Sequence, residues 1–295
     1  MAKEQHYGLI RRPLVGLALG GGGARGLAHI GVLKVFEREN VPIDYLAGTS
    51  MGGIVAAFYA AGRPAEALEA EVMNLMRPRN LLRLIDLSLL PRAGLFSGER
   101  VRQYLAEELG EDLTFDQLCI PLALTAVDLI SGKEVVLREG VVIDAVRATS
   151  SFPAVFDPVE IGPYRLVDGG VLNNVPADVV RRLGAEVVVA VDVGLDFYDL
   201  ALVDNPGTPP TTRVAHNAWR AESLMSEVLV RQRLAAAQPE IVLHPRIPGE
   251  ISAFSGFNEA AKIVAAGEAA AVEALPRLKK LVRPRLRLPR LPGAS

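Results

Sequence analysis

Two glycine-rich turns, about one βαβ unit apart, constrain this chain more than anything else in it. The first is Gly20-Gly21-Gly22-Gly23-Ala24-Arg25-Gly26 and the second is Gly48-Thr49-Ser50-Met51-Gly52. The second fits G-x-S-x-G between an expected strand, Ile43 to Ala47, and an expected helix, Ile54 to Ala61. That context lifts a serine onto a sharp strand-to-helix turn with its hydroxyl exposed. The first turn follows the apolar run Leu14 to Leu19 and opens a helix in which Leu27, Ile30, Leu33 and Phe36 recur at roughly helical steps. Its amides then point from a helix N-terminus, where unpaired N–H groups and the macrodipole favour negative charge. In acyl transfer that charge is the tetrahedral oxyanion, and backbone donors aimed at it lower the barrier by a few kcal/mol. Gly21, Gly22 and Gly23 are the expected donors, and Ser50 is the expected nucleophile.

A nucleophile needs a base. Asp168-Gly169-Gly170 follows the short apolar stretch Tyr164 to Val167 and precedes Val171-Leu172-Asn173-Asn174-Val175-Pro176, a loop leading into a helix that starts near Pro176. An aspartate at a strand end, flanked by two glycines, can be held close to another backbone. Gly169 and Gly170 are therefore expected to support the loop, with Asn173 and Asn174 shaping it. Arg25 is expected either to support the glycine loop or to meet a substrate phosphate.

These three segments, Gly21 to Gly26, Gly48 to Gly52 and Asp168 to Gly170, resemble the motifs of the patatin-like phospholipases in order and approximate spacing. The likeness is greatest to bacterial members related to the catalytic domain of neuropathy target esterase. It covers roughly Pro13 to Gly194, with a weaker echo at Glu240 to Ile247. The resemblance implies a Ser-Asp dyad in place of a triad: Ser50 attacks an ester carbonyl and Asp168 takes its proton directly. It also implies a hydrolase of lipid esters, phospholipid or lysophospholipid. A carboxylate with an ordinary pKa near 4 is a feeble base at neutral pH, so partial desolvation of Asp168 is expected. A lipid-binding or regulatory protein on the same fold is the alternative.

Two rival readings use the same residues. Gly21-x-Gly23-x-x-Gly26 satisfies the dinucleotide fingerprint, yet the acidic residue that would hold a ribose is missing from the end of the second strand, where Gly48-Thr49-Ser50 stands; Asp44 lies at its start. A Ser-Asp-His triad would recruit one of His6, His29, His216 or His244, with His244, at the end of the expected strand Ile241 to Leu243, the only serious candidate.

The 295 residues, half of them apolar, are enough for one large α/β domain with a smaller appendage. Further expected elements are a helix Gly98 to Leu109, strands Ile120 to Val127 and Lys133 to Leu137, a helix Pro176 to Leu183 and a nearly all Val/Ala strand, Val187 to Val193, of the kind covered on both faces. The expected fold is a three-layer α/β/α patatin-like domain with a mostly parallel central sheet over residues 13–275. Within it, 196–238 reads as an insertion: a proline-rich loop followed by a long helix, Val214 to Ala237. Seven basic residues and no acid mark 276–295 as a flexible basic arm that could bind an anionic membrane. The apolar stretch 81–90 reads as a cap or acyl-channel wall, with a buried helix as the alternative.

One cysteine, Cys119, and four scattered histidines supply no metal site, so no metal or cofactor is expected. Nucleic acid is not an expected partner; a lipid ester is, and the oligomeric state is open. Met1 to Arg12 lacks the apolar core of a signal peptide, which points to the cytoplasm with peripheral contact at the inner membrane face. Tyr45 to Gly62 carries no charge, but its central glycines fit an elbow better than a membrane-spanning helix.

Overall fold

The computed structural model describes residues 10–75, 80, 86, 94–194, 210–249, 251 and 256–286. In chain order the first half comprises β1 (Ile10–Arg11), β2 (Val15–Leu19), α1 (Ala28–Arg38), β3 (Tyr45–Gly48), α2 (Ser50–Ala60), α3 (Ala65–Leu75), β4 (Gly94–Phe96), α4 (Glu99–Leu109), β5 (Leu122–Asp128) and β6 (Lys133–Leu137). The second half comprises α5 (Val142–Thr149), β7 (Ala154–Phe156), β8 (Val159–Ile161), β9 (Tyr164–Asp168), α6 (Ala177–Arg182), β10 (Val187–Val191), α7 (Pro210–Ala237), β11 (Ile241–Leu243), α8 (Ala260–Leu281) and β12 (Arg285–Leu286).

The main sheet runs β11-β10-β2-β3-β5, all parallel. Its strands alternate by size. Leu17, Leu19, Leu46, Leu122, Leu124, Val189 and Val191 face one way into a core shared with α1, α2, α5 and α8. Ala18, Ala47, Ala123 and Ala190 face the other way, where small side chains let α6 and α7 pack onto the sheet. Both faces are therefore covered, as a parallel sheet requires, and the result is a three-layer α/β/α architecture.

At β5 the sheet forks, and the fork makes the site. β6 pairs antiparallel with Leu124–Asp128, so β9, which also pairs with Ala126–Asp128, must use the opposite edge of β5. The first part of that edge, Leu122–Leu124, is already taken by β3. Strand β3 runs parallel to β5 and β9 antiparallel, so the two approach head to head along one edge, with only Thr125 between their last partners. One of them ends in Gly48, just before the Ser50 turn, and the other ends in Asp168.

Helices α1 and α8 pack backbone to backbone. A Cβ added at Gly31 would fall 2.0 Å from the carbonyl oxygen of Val264, and one at Gly267 would fall 1.9 Å from that of Ala28. Here the structure moves an expected boundary. The basic arm was expected to begin at Pro276, but α8 runs through this proline to Leu281, and Arg285–Leu286 pairs antiparallel with Ile10–Arg11. A proline inside a helix removes the hydrogen bond to the residue four before it. That residue, Val272, is 47% exposed, so its freed carbonyl lies on the solvent side while Ala271 and Leu278 keep the buried stripe.

Residues 287–295, the loop half of the 196–238 insertion and nearly all of the apolar stretch 81–90 lie outside the described residues. Asp86 is within them and caps α4: its carboxylate accepts from the Gly98 and Arg100 amides and the Ser97 hydroxyl. Among the described residues no helix is long and apolar enough to cross a membrane.

Candidate active site

Ser50 is the first residue of α2 and has φ +53, a left-handed conformation for a residue with a Cβ. Such a conformation is strained and is held only where the surroundings dictate it. Here they do. A Cβ at Gly52 would stand 2.3 Å from the Leu19 carbonyl oxygen and 2.5 Å from that of Gly20, and one at Gly48 would stand 2.6 Å from the Gly53 Cα. The elbow is pressed against β2 and against its own helix, and no larger residue fits.

Asp168 ends β9 and is 2% exposed. Its Oδ1 accepts from the Gly170 amide at 2.8 Å. Its Oδ2 is buried with no hydrogen-bond partner among the described residues. Burial pushes the carboxyl up from 3.8 to about 7, against the Ser50 hydroxyl and the Gly170 amide, which draw it down; the Glu222 carboxylate raises it further. Ser50 thus lies close enough to influence the carboxyl, although the two make no hydrogen bond of normal geometry.

Buried hydroxyls staple the junction together. The Thr49 hydroxyl donates to the Asn173 carbonyl at 2.9 Å and lies 2.6 Å from the Thr125 hydroxyl, the residue in the gap between β3 and β9. Asn174 ties the aspartate loop to the glycine loop in two places: its carbonyl accepts from the Gly21 amide at 3.0 Å, and its Nδ2 donates to the Gly21 carbonyl at 3.2 Å. The end of α5 braces both candidate residues. The Ser50 amide donates to the Thr149 hydroxyl, and the Asp168 amide donates to the Ser151 carbonyl. Thr49, Thr125, Thr149 and Ser151 were not singled out from the sequence. The polar run Thr149-Ser150-Ser151 at a helix end was the one available signal.

The glycine loop changes one expectation. Gly21, Gly22 and Gly23 all line the cavity, but the Gly21 amide is committed to the Asn174 carbonyl, whereas the Gly22 and Gly23 amides have no acceptor among the described residues. Arg25 supports the loop: it is 3% exposed, and its guanidinium donates to the carbonyls of Val193, Gly194, Pro248 and Ile251. His29 is fully buried and donates from Nε2 to the Gly20 carbonyl at 2.7 Å, and burial depresses its pKa to about 4, which keeps it neutral.

Among the described residues neither rival reading finds support; His6 and the side chain of His216 lie outside them. Asp44 is held at the far end of β3, bidentate to Arg12 and accepting from the Val15 amide, remote from any ligand on the glycine loop. His244 follows β11, three strand positions from β3 in the sheet, about 14 Å at normal strand spacing. It is 65% exposed, faces Asp192 and does not line the cavity. His244→Ala is expected to leave ester kcat/KM within about twofold of wild type, because surface changes away from the chemistry rarely matter more.

The cavity beside Ser50 has a volume of about 560 Å³. Its walls are the apolar stripes of three helices: Met51, Ile54, Val55 and Phe58 from α2, Leu68, Val72 and Leu75 from α3, and Val101 and Leu105 from α4. Ser50, Asp168, Gly22 and Gly23 share that lining. A cavity walled by these apolar side chains beside a strained serine suits a flexible hydrocarbon, since each buried methylene contributes about 0.8 kcal/mol.

Comparison with known proteins shows the family. Residues 17–181 match the model of the patatin-like phospholipase family. The chain is 36% identical over 181 residues to an uncharacterised NTE family protein of Mycobacterium tuberculosis, covering 61% of this chain and 49% of that one. It is 34% identical over 186 residues to patatin-like phospholipase domain-containing protein 6 of Homo sapiens, covering 61% of this chain and 13% of that one. This chain thus spans about half of the mycobacterial relative and a small part of the human one. Among solved structures, VipD from Legionella pneumophila is similar with a TM-score of 0.49 and 12% identity, covering 90% of this chain and 67% of that one. On the strength of a family match that spans more than half of its length, this chain belongs to the patatin-like phospholipase family.

Proposed function

We propose that this protein is a serine acyl hydrolase that cleaves carboxylic esters of lipids, phospholipid or lysophospholipid, through a Ser50–Asp168 dyad. One observation carries the reading: β3 and β9 meet head to head on β5, so that Ser50 and the buried carboxyl of Asp168 come near each other and line the same largely apolar cavity. The acyl chain lies between α2, α3 and α4, which sets the ester carbonyl over Ser50. Ser50 Oγ attacks the carbonyl carbon as its proton passes to Asp168. The negative charge that develops on the carbonyl oxygen meets the Gly22 and Gly23 amides. The intermediate collapses, the C–O bond to the alcohol breaks, and Asp168 returns the proton to the departing oxygen. Water then attacks acyl-Ser50, giving its proton to Asp168; the acyl–Oγ bond breaks, Asp168 passes that proton to Ser50 Oγ, and the acid leaves.

The perturbed carboxyl fits this role. A base poised near the working pH balances the fraction ionised against proton affinity, and burial moves Asp168 from a feeble base to one with a pKa of about 7. The reading is tested by fatty-acid release from a p-nitrophenyl decanoate and from a lysophospholipid. Turnover by wild type, reduced to background in Ser50→Ala, is expected. A folded wild type that turns over no ester would sink the reading and favour a binding protein.

A further inference from the structure

We propose that Glu222 selects the charge of the substrate's alcohol, favouring esters whose leaving group carries a cation. This rests on the acyl-hydrolase reading. Glu222 lies on α7 and lines the same cavity as Ser50 and Asp168, beside Ser223 and Ser226 of the same helix. The family match ends at residue 181, so this carboxylate comes from a part of the chain that the family model does not cover.

Besides Asp168, four charged side chains line the cavity: Arg25, Glu71, Arg147 and Glu222. Arg25 is spent on backbone carbonyls. Glu71 accepts from Arg63 and from the Tyr104 hydroxyl. Arg147 donates to the Ser151 hydroxyl and the Ser97 carbonyl and lies 5.2 Å over the Phe156 ring. Glu222 alone of the four has neither a hydrogen bond nor a salt bridge among the described residues. Burial raises its pKa with no compensating partner, and its charge acts unfavourably on Asp168. A half-buried carboxylate without a partner is costly, and here the like charge of the catalytic carboxylate adds to the cost. A cation delivered by the substrate relieves both. Phe96, Phe152 and Phe257 also line the cavity.

The test compares decanoylcholine with 3,3-dimethylbutyl decanoate at pH 8, two esters of the same acid and nearly the same shape that differ in charge. Wild type is expected to favour the choline ester by roughly five- to tenfold in kcat/KM, the effect of one partly screened charge at short range. Glu222→Gln should bring that ratio close to one, and Glu222→Lys should invert it. Changes in folding or in the basicity of Asp168 act on both esters alike, so the ratio reports charge selection alone. If Glu222→Lys does not fold, Glu222→Gln carries the test. A ratio near one in wild type, or the same ratio in wild type and Glu222→Gln, overturns the proposal. Hydrolysis of neither ester by wild type means instead that the acyl-hydrolase reading itself has failed.

Discussion

Asp168→Asn is expected to lower ester turnover about a thousandfold or more while making the protein more stable at pH 8. On the proposed dyad the loss follows from removing the proton acceptor of Ser50, since a positioned general base contributes about 10²–10⁴ in rate. The gain follows from linkage. In the folded chain Asp168 holds its proton up to about pH 7, while the unfolded chain releases it near 3.8. Between those values the native state binds more protons than the unfolded state, so stability falls as pH rises through this window and the full penalty remains above it. Three pH units correspond to ~4 kcal/mol as an upper bound. Asparagine keeps the shape and the acceptor for the Gly170 amide but carries no charge, so it escapes the penalty. Thermal unfolding of the variant at pH 8 should exceed wild type by several degrees, at about 2–4 °C per kcal/mol for a domain of this size. At pH 4 the difference should vanish. A variant equally stable at pH 8 would show that burial does not strain Asp168, and one that keeps activity would show that Asp168 is not the base.

Substitution of Ser50 should abolish turnover as well, and the choice of replacement reads out the strain. Both Ser50→Ala and Ser50→Gly remove the nucleophile. In an ordinary helix glycine is about 1 kcal/mol worse than alanine. At φ +53 the order should reverse, because glycine adopts this conformation without a steric penalty while alanine pays about 1 kcal/mol or more. Chemical denaturation of the two variants measures the sign directly, and alanine more stable than glycine would mean that the elbow is not strained. Together the two experiments describe a site whose working residues are held against their own preferences by the packing around them.

Much of this arrangement was legible in the residues, and the parts that were not have physical reasons. Glycines in a run, a serine between two glycines and an aspartate before two more report local backbone demands, which is why Gly20 to Gly26, Ser50 and Asp168 stood out. Strand β10 was equally plain, because a Val/Ala run has one stable use in a parallel sheet. Helix α2 was expected from Ile54, yet it begins at Ser50; apolar periodicity starts only after the glycines, so the helix start was invisible to it. Helix α8 was obscured by alanine, which gives little contrast between faces, and by Pro276, which reads as a stop. The head-to-head meeting of β3 and β9 depends on β6 taking the other edge of β5, a fact of pairing that no local pattern carries. The same is true of Arg25, whose four carbonyl acceptors come from two distant segments, and of Thr149 and Ser151, which brace residues about 100 and 17 positions away in sequence.

The most direct measurement is the rate at which a fluorophosphonate adds to the intact protein, followed by mass spectrometry from pH 5 to 9 for wild type, Asp168→Asn and His244→Ala. A single adduct on Ser50 is expected, forming faster as pH rises through about 7, unchanged in His244→Ala and slowed about a thousandfold or more in Asp168→Asn. An adduct on another residue, or labelling that survives Asp168→Asn and is lost in His244→Ala, would contradict a dyad of Ser50 and Asp168.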